Sequence, residues 1–359
     1  MRIRVGVCLI VSACVAAAAG AQTTGLPLWA YGYITPAASP ADYSTKCLGE
    51  RPSDCDRPGG LPTDPQNTPR HLAGSDGEFT VAQINARYGP ADWFPNDHPP
   101  MPDIVAHGKE SIGSRACSVC HLPNGKGLMQ NGGVTGLPRG YILQQLADFK
   151  AGKRRSADAN KANAFEMQAI ARNLTDAEAH AAADYFSAIT FTKWIRVVES
   201  TTVPKFTASI NGLFLKEDGT ETEPLGNRIV EMAESTYDTN ILRNPRSGFV
   251  AYAPIGSLKR GELLVTTGGS GIVDGKTVAG PTMACGLCHG RDLRGAELPN
   301  IGAVPPIVGR SPSYLARQLY DMQQGARHGA AAALMQPAVK KLTEDDMIAI
   351  AAYVASLEP

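Results

Sequence analysis

The sequence lacks a net charge, a long internal apolar run and a large aromatic content. Its 359 residues carry 34 Lys and Arg against 34 Asp and Glu, which argues against bulk electrostatic attachment to nucleic acid or membrane. No apolar run of about 18 residues, the length that spans a bilayer, follows the N-terminus. Aromatic residues make up 6%, but hydrophobic residues reach 43%, which excludes a disordered chain. We expect a folded chain of about two domains without an internal transmembrane helix.

The first 21 residues have the pattern of an export signal. Arg2 and Arg4 precede the apolar stretch 5–18, and three small residues follow it. This order is typical of a secretory signal that is cleaved after residue 21. Two alternatives stay open, an uncleaved N-terminal anchor and a lipid attached to Cys14. We expect the mature protein to lie in a bacterial periplasm.

Four of the six cysteines beyond residue 21 lie in two copies of the pattern Cys-x-x-Cys-His, at 117–121 and 285–289. This pattern is the attachment site of a c-type haem. Its two thiols add to the two vinyl groups of the porphyrin, and the adjacent His reaches the iron from the same side. The sequence therefore predicts two covalent haems. Their attachment residues are Cys117, Cys120, Cys285 and Cys288, and their first iron ligands are His121 and His289.

Two other kinds of site would use the same residue types. One is a zinc site built from four Cys and two His, and the other is a pair of redox-active dithiols. An oxidising compartment disfavours free thiols, and a redox dithiol does not require the His that follows. Covalent haem is therefore the favoured interpretation.

The two motifs belong to two copies of one longer unit. Aligning Cys117 with Cys285, an offset of 168 positions, also aligns Met167 with Met335 and a Leu-Thr pair after each Met. Between the motif and the Met, the alignment continues at an offset of 173, as a difference in loop length produces. The matches at this second offset are Tyr141 with Tyr314, Gln145 with Gln318, Leu146 with Leu319, and Gly152 with Gly325.

Both copies have helical patterns, and we expect their limits at 105–190 and 256–359. Apolar residues recur at helical spacing in 141–149. Thr175 begins a capping-box sequence before an alanine-rich helix, and the stretch 343–357 repeats that helix. The low aromatic content agrees with small cores that a buried macrocycle completes.

The two copies resemble class I cytochrome c domains, and their arrangement is similar to that of tandem diheme cytochromes c of the bacterial periplasm. The shared features are an N-terminal helix, Cys-x-x-Cys-His, Tyr-x-x-x-Gln-Leu, a Met, and Leu-Thr before a C-terminal helix. The resemblance implies a mainly α fold with two helical domains around covalent haems. It also implies that Met167 binds iron opposite His121 and that Met335 does so opposite His289.

The first copy departs from the family pattern at two places. Leu122 follows the haem His where the family usually has Gly, as at Gly290. Only the second copy clearly has a proline near its haem His, at Pro305 or Pro306. These departures concern the geometry around the first haem.

Other iron ligands compete with the two aligned methionines. Met129 is an alternative at the first haem, although its glycine-rich surroundings favour a surface loop. His328 is the strongest alternative at the second haem. Met322 and Met347 lie on helical stripes, where core packing is the better interpretation.

The segments outside the two copies differ in character. Residues 22–104 hold 13 of the 26 prolines, which predicts an irregular extension without long helices. Cys47 and Cys55 lie in this extension, and in an exported chain we expect them to form a disulfide. Residues 191–255 contain short branched runs that favour strands, and we expect a small β element that braces the two domains.

One basic cluster lies in the first copy and comprises Lys150, Lys153, Arg154 and Arg155. Such a cluster is usually a solvated face. Its alternative role is to steer an acidic redox partner.

The resemblance implies a function in electron transport, as a carrier or as the cytochrome subunit of a dehydrogenase or respiratory complex. Two irons with imidazole and thioether ligands have no open position, so we expect no catalytic residue. The alternative is a diheme redox enzyme of the peroxidase or thiosulfate-oxidising kind, which needs an exchangeable ligand. A docking module based on residues 22–104 is a third hypothesis. The expected partners are redox proteins or a periplasmic or membrane oxidoreductase complex, and no nucleic acid.

Overall fold

The computed structural model describes residues 68–158, 161–208 and 214–359. The expected signal 1–21, the expected disulfide between Cys47 and Cys55, and the extension before residue 68 lie outside these residues. Within the described ranges, no helix has the length and apolar character that a membrane crossing requires.

The described residues form two helical units, one five-stranded sheet and four two-stranded sheets. The helices are α1 (Val81–Ile84), α2 (Asp103–Ala106), α3 (Cys117–His121), α4 (Arg139–Lys150), α5 (Ala162–Asn173), α6 (Asp176–Ala188), α7 (Ser257–Thr267), α8 (Gly286–His289), α9 (Pro312–Gln323), α10 (Ala330–Ala333), α11 (Gln336–Val339) and α12 (Glu344–Ser356). The strands are β1 (Arg70–His71), β2 (Glu78–Phe79), β3 (Ile195–Glu199), β4 (Thr202–Pro204), β5 (Phe206–Ala208), β6 (Phe214–Lys216), β7 (Thr222–Pro224), β8 (Val230–Ala233), β9 (Phe249–Ala253), β10 (Gly271–Val273), β11 (Lys276–Val278), β12 (Ala296–Leu298) and β13 (Gly302–Val304).

The first unit is built from α2 to α6. Helix α4 packs on both α5 and α6, and the three helices bury Ile142, Ile170 and Phe186 in one core. Helix α6 begins where the sequence predicts, because Thr175 and Glu178 cap each other's backbone N–H groups. This capping box fixes the start of the helix that closes the core.

The second unit is built from α7 to α12, and its central contact joins α7 to α12. A Cβ atom at Gly261 would lie 2.1 Å from the carbonyl oxygen of Ala349, so only glycine permits this close approach. The alanines of α12 are buried on this side, as the alanine-rich pattern predicts. Thr343 and Asp346 form the capping box that starts α12.

Between the units lies a five-stranded sheet with the strand order β3-β9-β8-β6-β5. Strand β9 pairs parallel with β3 and antiparallel with β8. The sheet buries Ile195, Phe206, Phe214 and Phe249. Leu122 of the first unit is part of the same apolar cluster. The sheet is therefore joined to the first unit by a shared core.

The strand content is larger than a mainly α chain would have. The two units are helical, as expected, and β4 and β7 lie in the segment 191–255 where a small β element was expected, but the hairpins β10-β11 and β12-β13 add strands to the second unit that the expectation did not include. These strands are only three residues long. Such short runs carry too little alternation to be recognised from the sequence.

The described end of the N-terminal extension packs on the loop after β8. Trp93, Phe94 and Leu242 share a small apolar cluster, and the indole Nε1 of Trp93 donates to the Leu242 carbonyl at 2.6 Å. Arg246 stacks its guanidinium 3.6 Å from the centre of the Phe94 ring. The extension and this loop therefore form one layer beside the first unit.

Candidate haem-binding sites

The first Cys-x-x-Cys-His motif forms the short helix α3 and is anchored on α2. The buried Ser118 hydroxyl donates to the Val105 carbonyl at 2.8 Å. The Sγ of Cys117 lies 3.4 Å from the Ile104 carbonyl oxygen. Cys117 and Cys120 are not joined in a disulfide, so both sulfurs are available for covalent attachment.

Both motif histidines have one ring nitrogen held by a backbone carbonyl. The Nδ1 of His121 lies 2.8 Å from the Gly132 oxygen, and the Nδ1 of His289 lies 2.9 Å from the Pro305 oxygen. A carbonyl is only an acceptor, so Nδ1 carries the proton and Nε2 keeps its lone pair for a metal. Burial lowers the pKa of both imidazoles, which keeps them neutral as iron ligation requires. The two histidines fit the role of haem iron ligands.

These carbonyls resolve the missing proline of the first copy. In the second copy Pro305, and not Pro306, supplies the acceptor. Gly132 does so in the first copy, and it lies at the same offset of 173 that relates the tyrosines and glutamines. The proline side chain is therefore not needed for this hydrogen bond, because only the position of the carbonyl matters.

The residue after each motif His has the same unusual backbone. Leu122 has φ 62° and ψ 160°, and Gly290 has φ 83° and ψ 150°. Residues with a side chain rarely adopt backbone angles with positive φ, which explains why glycine suits the position. Leu122 is only 3% exposed, because its side chain packs in the sheet core. Apolar burial thus offsets the backbone strain in the first copy.

The aligned methionines lie in the same cores as the first Cys of each motif. Met167, on α5, and Cys117 both pack, half-buried, against the core of the first unit. Met335 directly precedes α11, and it and Cys285 both pack, half-buried, against the core of the second unit. Sequence reasoning gave no ligand role to Met101, which also packs, half-buried, in the first core. It has no counterpart in the second copy, so the repeat gave no signal for it.

The other candidate ligands lie elsewhere. Met129 is 1% exposed in the sheet core, so the expected surface loop position is wrong. Met322 and Met347 are buried in the core of the second unit. His328 is exposed, and its Nδ1 lies 3.0 Å from the Gly325 oxygen.

The geometry does not favour zinc or dithiol chemistry. Within the described ranges, no three His, Cys, Asp or Glu side chains come together as a metal site. Burial raises the pKa of Cys117 to about 12 and that of Cys285 to about 11. Reactive dithiols need a thiol with a lowered pKa, so these buried pairs are poor redox dithiols.

The two units meet through a pair of equivalent arginines. Arg154 of the first unit donates to the Tyr314 hydroxyl of the second. Arg327 of the second unit donates to the Tyr141 hydroxyl of the first at 2.8 Å. Arg154 and Arg327 also pair as an antiparallel β-bridge. The junction is therefore approximately twofold symmetric, because each residue lies 173 positions from its counterpart.

Two glutamines complete this symmetric network. The Oε1 of Gln145 accepts from Arg154 at 3.0 Å and from Arg327 at 2.8 Å. The Oε1 of Gln318 accepts from Arg327 at 3.0 Å and lies 3.4 Å from Arg154. The alignment at the offset of 173 matched the glutamines but left the arginines unnoticed. Extending the alignment by a few residues would have found them.

The predicted basic cluster is divided by this junction. Lys150, Lys153 and Arg155 are exposed, whereas Arg154 is half-buried between the units. Arg154 joins the two units, so only the other three side chains are available to solvent or to a partner.

Comparison with known proteins agrees with this geometry. The family model described as cytochrome c matches residues 105–189 and 272–358. Cytochrome c-554(548) of Halomonas halodenitrificans is 36% identical over 74 residues, which are 21% of this chain and 84% of that protein. Cytochrome c4 of Pseudomonas aeruginosa is 35% identical over 98 residues, 26% of this chain and 45% of that protein. The thiosulfate dehydrogenase electron acceptor of Stutzerimonas stutzeri is 33% identical over 75 residues, 21% of this chain and 32% of that protein.

Solved structures give weaker matches. Reduced recombinant cytochrome c4 from Pseudomonas stutzeri has a TM-score of 0.41 and 22% identity, over 67% of this chain and 93% of that one. Thiosulfate dehydrogenase from Marichromatium purpuratum has a TM-score of 0.42 and 23% identity, over 71% of this chain and 39% of that one.

Two helical units that each carry Cys-x-x-Cys-His define a protein with two c-type haems. The chain belongs to the cytochrome c family, with two tandem domains of that family. Its matches span less than half of the cytochrome c4 and of the electron acceptor.

Proposed function

We propose that the protein transfers single electrons between redox partners through its two haems. A bound haem supplies reversible one-electron chemistry at its iron. The observation that carries the proposal is the repeated geometry: in each unit a carbonyl orients the motif His, and a methionine shares the core with the first motif Cys. Two equivalent sites in units that meet at a common junction suit the passage of electrons from one unit to the other.

The proposed roles of the side chains follow from their chemistry. Cys117 and Cys120, and likewise Cys285 and Cys288, would hold the haems by thioether bonds. His121 with Met167 would hold one iron, and His289 with Met335 would hold the other. Ligation by one imidazole and one thioether favours the reduced iron more than ligation by two imidazoles does, and it leaves no open coordination position.

We further propose the cellular setting that the sequence indicates. Covalent haem attachment agrees with export of the chain by the signal 1–21 to the periplasm. The proposed domain limits stay at 105–190 and 256–359. One similar protein is called an electron acceptor of thiosulfate dehydrogenase, which supports a carrier in a respiratory chain or a cytochrome subunit of a dehydrogenase.

A diheme redox enzyme remains the alternative, and one observation favours it. Met101 packs in the first core together with Met167 and Cys117. Two methionines near one haem would allow one sulfur ligand to replace the other. During such an exchange the iron would have an open coordination position, which a redox enzyme needs. Rapid cyanide binding to one haem of the unmodified protein would favour the enzyme over the carrier.

The number of covalent haems tests the proposed function directly. The mature protein, produced in cells that attach haem to c-type cytochromes, should retain the mass of two haems after denaturation. A variant with Ser in place of Cys285 and Cys288 should retain one haem, because the first motif is untouched. One haem or none on the unmodified chain would contradict the proposal.

A further inference from the structure

A polar cleft of about 530 Å³ lies between the first unit and the layer beside it. On the side of the first unit it is lined by Lys126, from the loop after the first motif, and by Thr190, which follows α6. On the side of the layer it is lined by Asp97 and His98 of the extension and by Arg246 of the loop after β8. Among the described residues that line it, none belongs to a Cys-x-x-Cys-His motif. The cleft is therefore separate from the haem-binding sites.

Lys126 is a half-buried cation without a direct partner. Within residues 68–158, 161–208 and 214–359, no group accepts a hydrogen bond from its ammonium. The carboxylate that shares the cleft, Asp97, accepts two hydrogen bonds from Arg246 instead, at 2.6 and 2.7 Å. Burial lowers the pKa of Lys126 more than Asp97 raises it. The charge of Lys126 is therefore only partly compensated.

His98 contributes a further positive charge to the cleft. Its Nδ1 lies 2.9 Å from the Pro99 oxygen, and its Nε2 lies 3.3 Å from a carboxylate oxygen of Asp92. Both neighbours are acceptors, so both ring nitrogens carry a proton. Burial lowers the pKa of His98, but the hydrogen bonds with Asp92 and Pro99 raise it more, which favours the cation. Two carboxylates thus face three cations here, and one positive charge, that of Lys126, is left over.

The surplus charge selects an anion as the ligand of the cleft. A Lys ammonium is a compact charge with three donors, and it is a common partner of phosphate and related oxyanions. The hydroxyl groups of Thr190 and Thr192 line the same side and supply further donors. A cation would meet a net positive lining and would be repelled. The volume exceeds that of a tetrahedral oxyanion, so the cleft accommodates a free oxyanion or one that belongs to a small organic molecule.

We propose that this cleft binds a small oxyanion between the Lys126 ammonium of the first unit and the cations of the layer. The bound anion would hold the layer against the first unit, because it is attracted to both sides at once. This binding goes beyond the proposed function, since it involves neither a haem nor a motif residue.

Titration of the haem-loaded protein with inorganic phosphate tests the site. Calorimetry should show one phosphate bound per chain, whereas sodium chloride at the same ionic strength should give no saturable binding. Lys126→Gln should weaken phosphate binding about tenfold, because one hydrogen bond from a charged donor is lost, and Lys126→Arg should keep most of the affinity. Lys259→Gln, at an exposed lysine of the second unit, is the matched control and should bind phosphate as the unmodified protein does.

Hydrogen exchange tests the position of the bound anion. Phosphate should slow the exchange of the backbone amides in 96–98 and 244–247, which lie on the layer side, and it should not do so in Lys126→Gln. Without phosphate, Lys126→Gln should unfold no more easily than the unmodified protein, because the ammonium has no partner to lose. Glycerol phosphate distinguishes the two sources of the oxyanion. Tighter binding than that of inorganic phosphate indicates a small organic molecule, and equal or weaker binding indicates the free anion.

Two results would overturn the inference. Absence of saturable phosphate binding, or equal effects of phosphate and chloride, would show that solvent ions alone balance the charges of the cleft. Unchanged phosphate affinity in Lys126→Gln would show that this lysine is only a solvated side chain. A chain with fewer than two haems would contradict the proposed function but would leave phosphate binding as expected, so the two failures are distinct.

Discussion

Val119 and Leu287 occupy the same position in the two motifs, but Val119 is 9% exposed and Leu287 is 72% exposed. The difference comes from the loop after β8, where Arg243 donates to the Val119 carbonyl. Asn124 adds a second hydrogen bond to the same loop, to the Pro245 carbonyl at 2.6 Å. The first motif is therefore covered, and the second is open to solvent.

This asymmetry predicts different access to the two haems. A bulky reductant should reduce the second haem faster than the first, whereas a small reductant should discriminate less. Asn124→Ala should raise the rate at the first haem, because it removes a hydrogen bond that holds the covering loop. Stopped-flow spectroscopy measures both rates, and Lys205→Ala is the control, because Lys205 is an exposed residue between β4 and β5. Equal rates with the bulky reductant would contradict the prediction.

The strained backbone at Leu122 predicts an order of stabilities. Leu122→Ala should lower the free energy of unfolding by about 2–5 kcal/mol, because it leaves a cavity and keeps the strain. Leu122→Gly should cost about 1 kcal/mol less, since glycine adopts this backbone without strain. Gly290→Ala should destabilise the second unit, because its Cβ would lie 2.4 Å from the Gly295 oxygen. Chemical denaturation measures the free energy of unfolding of all three variants. If Leu122→Gly is less stable than Leu122→Ala, the predicted order is wrong.

The symmetric junction predicts equal effects of equivalent changes. Tyr141→Phe and Tyr314→Phe each remove an acceptor for an arginine, which costs about 1.5–3 kcal/mol for a hydrogen bond to a charged group. The two changes should not add, because they share the glutamine network. Denaturation of the single and double variants measures this coupling. Tyr237→Phe, at an exposed tyrosine, should be close to neutral.

The capping box of α12 predicts a pH dependence of stability. Burial raises the pKa of Asp346, but hydrogen bonds from Thr343 and Arg260 lower it more, so its pKa lies below the usual 3.8. A carboxyl group with a lowered pKa stabilises the fold above its unfolded pKa, and this contribution disappears as the pH falls through the folded pKa. Asp346→Asn should therefore cost about 1 kcal/mol at neutral pH and nothing in strong acid. Glu344→Gln, in the same helical turn, should show a smaller dependence, and equal pH profiles would contradict the argument.

The sequence predicts those parts of the site whose chemistry requires particular residues close together in the chain. Cys-x-x-Cys-His indicates haem because covalent attachment needs all three residues side by side. The repeat found the tyrosines and glutamines of the junction because both copies keep them. Gly132 was missed because its role belongs to a backbone carbonyl, which leaves no mark on the side chain. The sheet between the units was only partly foreseen, because its strands are short and pair across loops.

Met167 and Met335, the proposed axial ligands, are the residues on which the carrier and enzyme hypotheses differ. Each lies 46 residues after a motif His, although the local structure differs: Met167 is inside α5, and Met335 precedes α11. Met167→Ala should lower the potential of one haem and let cyanide bind there, because loss of the thioether opens a coordination position. Met335→Ala should do the same at the other haem.

Controls separate ligation from packing in this experiment. Met322→Leu keeps the volume of a buried methionine in the second core, and it should leave the spectrum and both potentials unchanged. Haem should stay attached in every variant, because the cysteines are intact. If Met167→Ala keeps the wild-type spectrum but Met101→Ala does not, then Met101 is the ligand of the first haem. If only the double variant opens the first iron, the two methionines replace each other, and that exchange would favour the enzyme over the carrier.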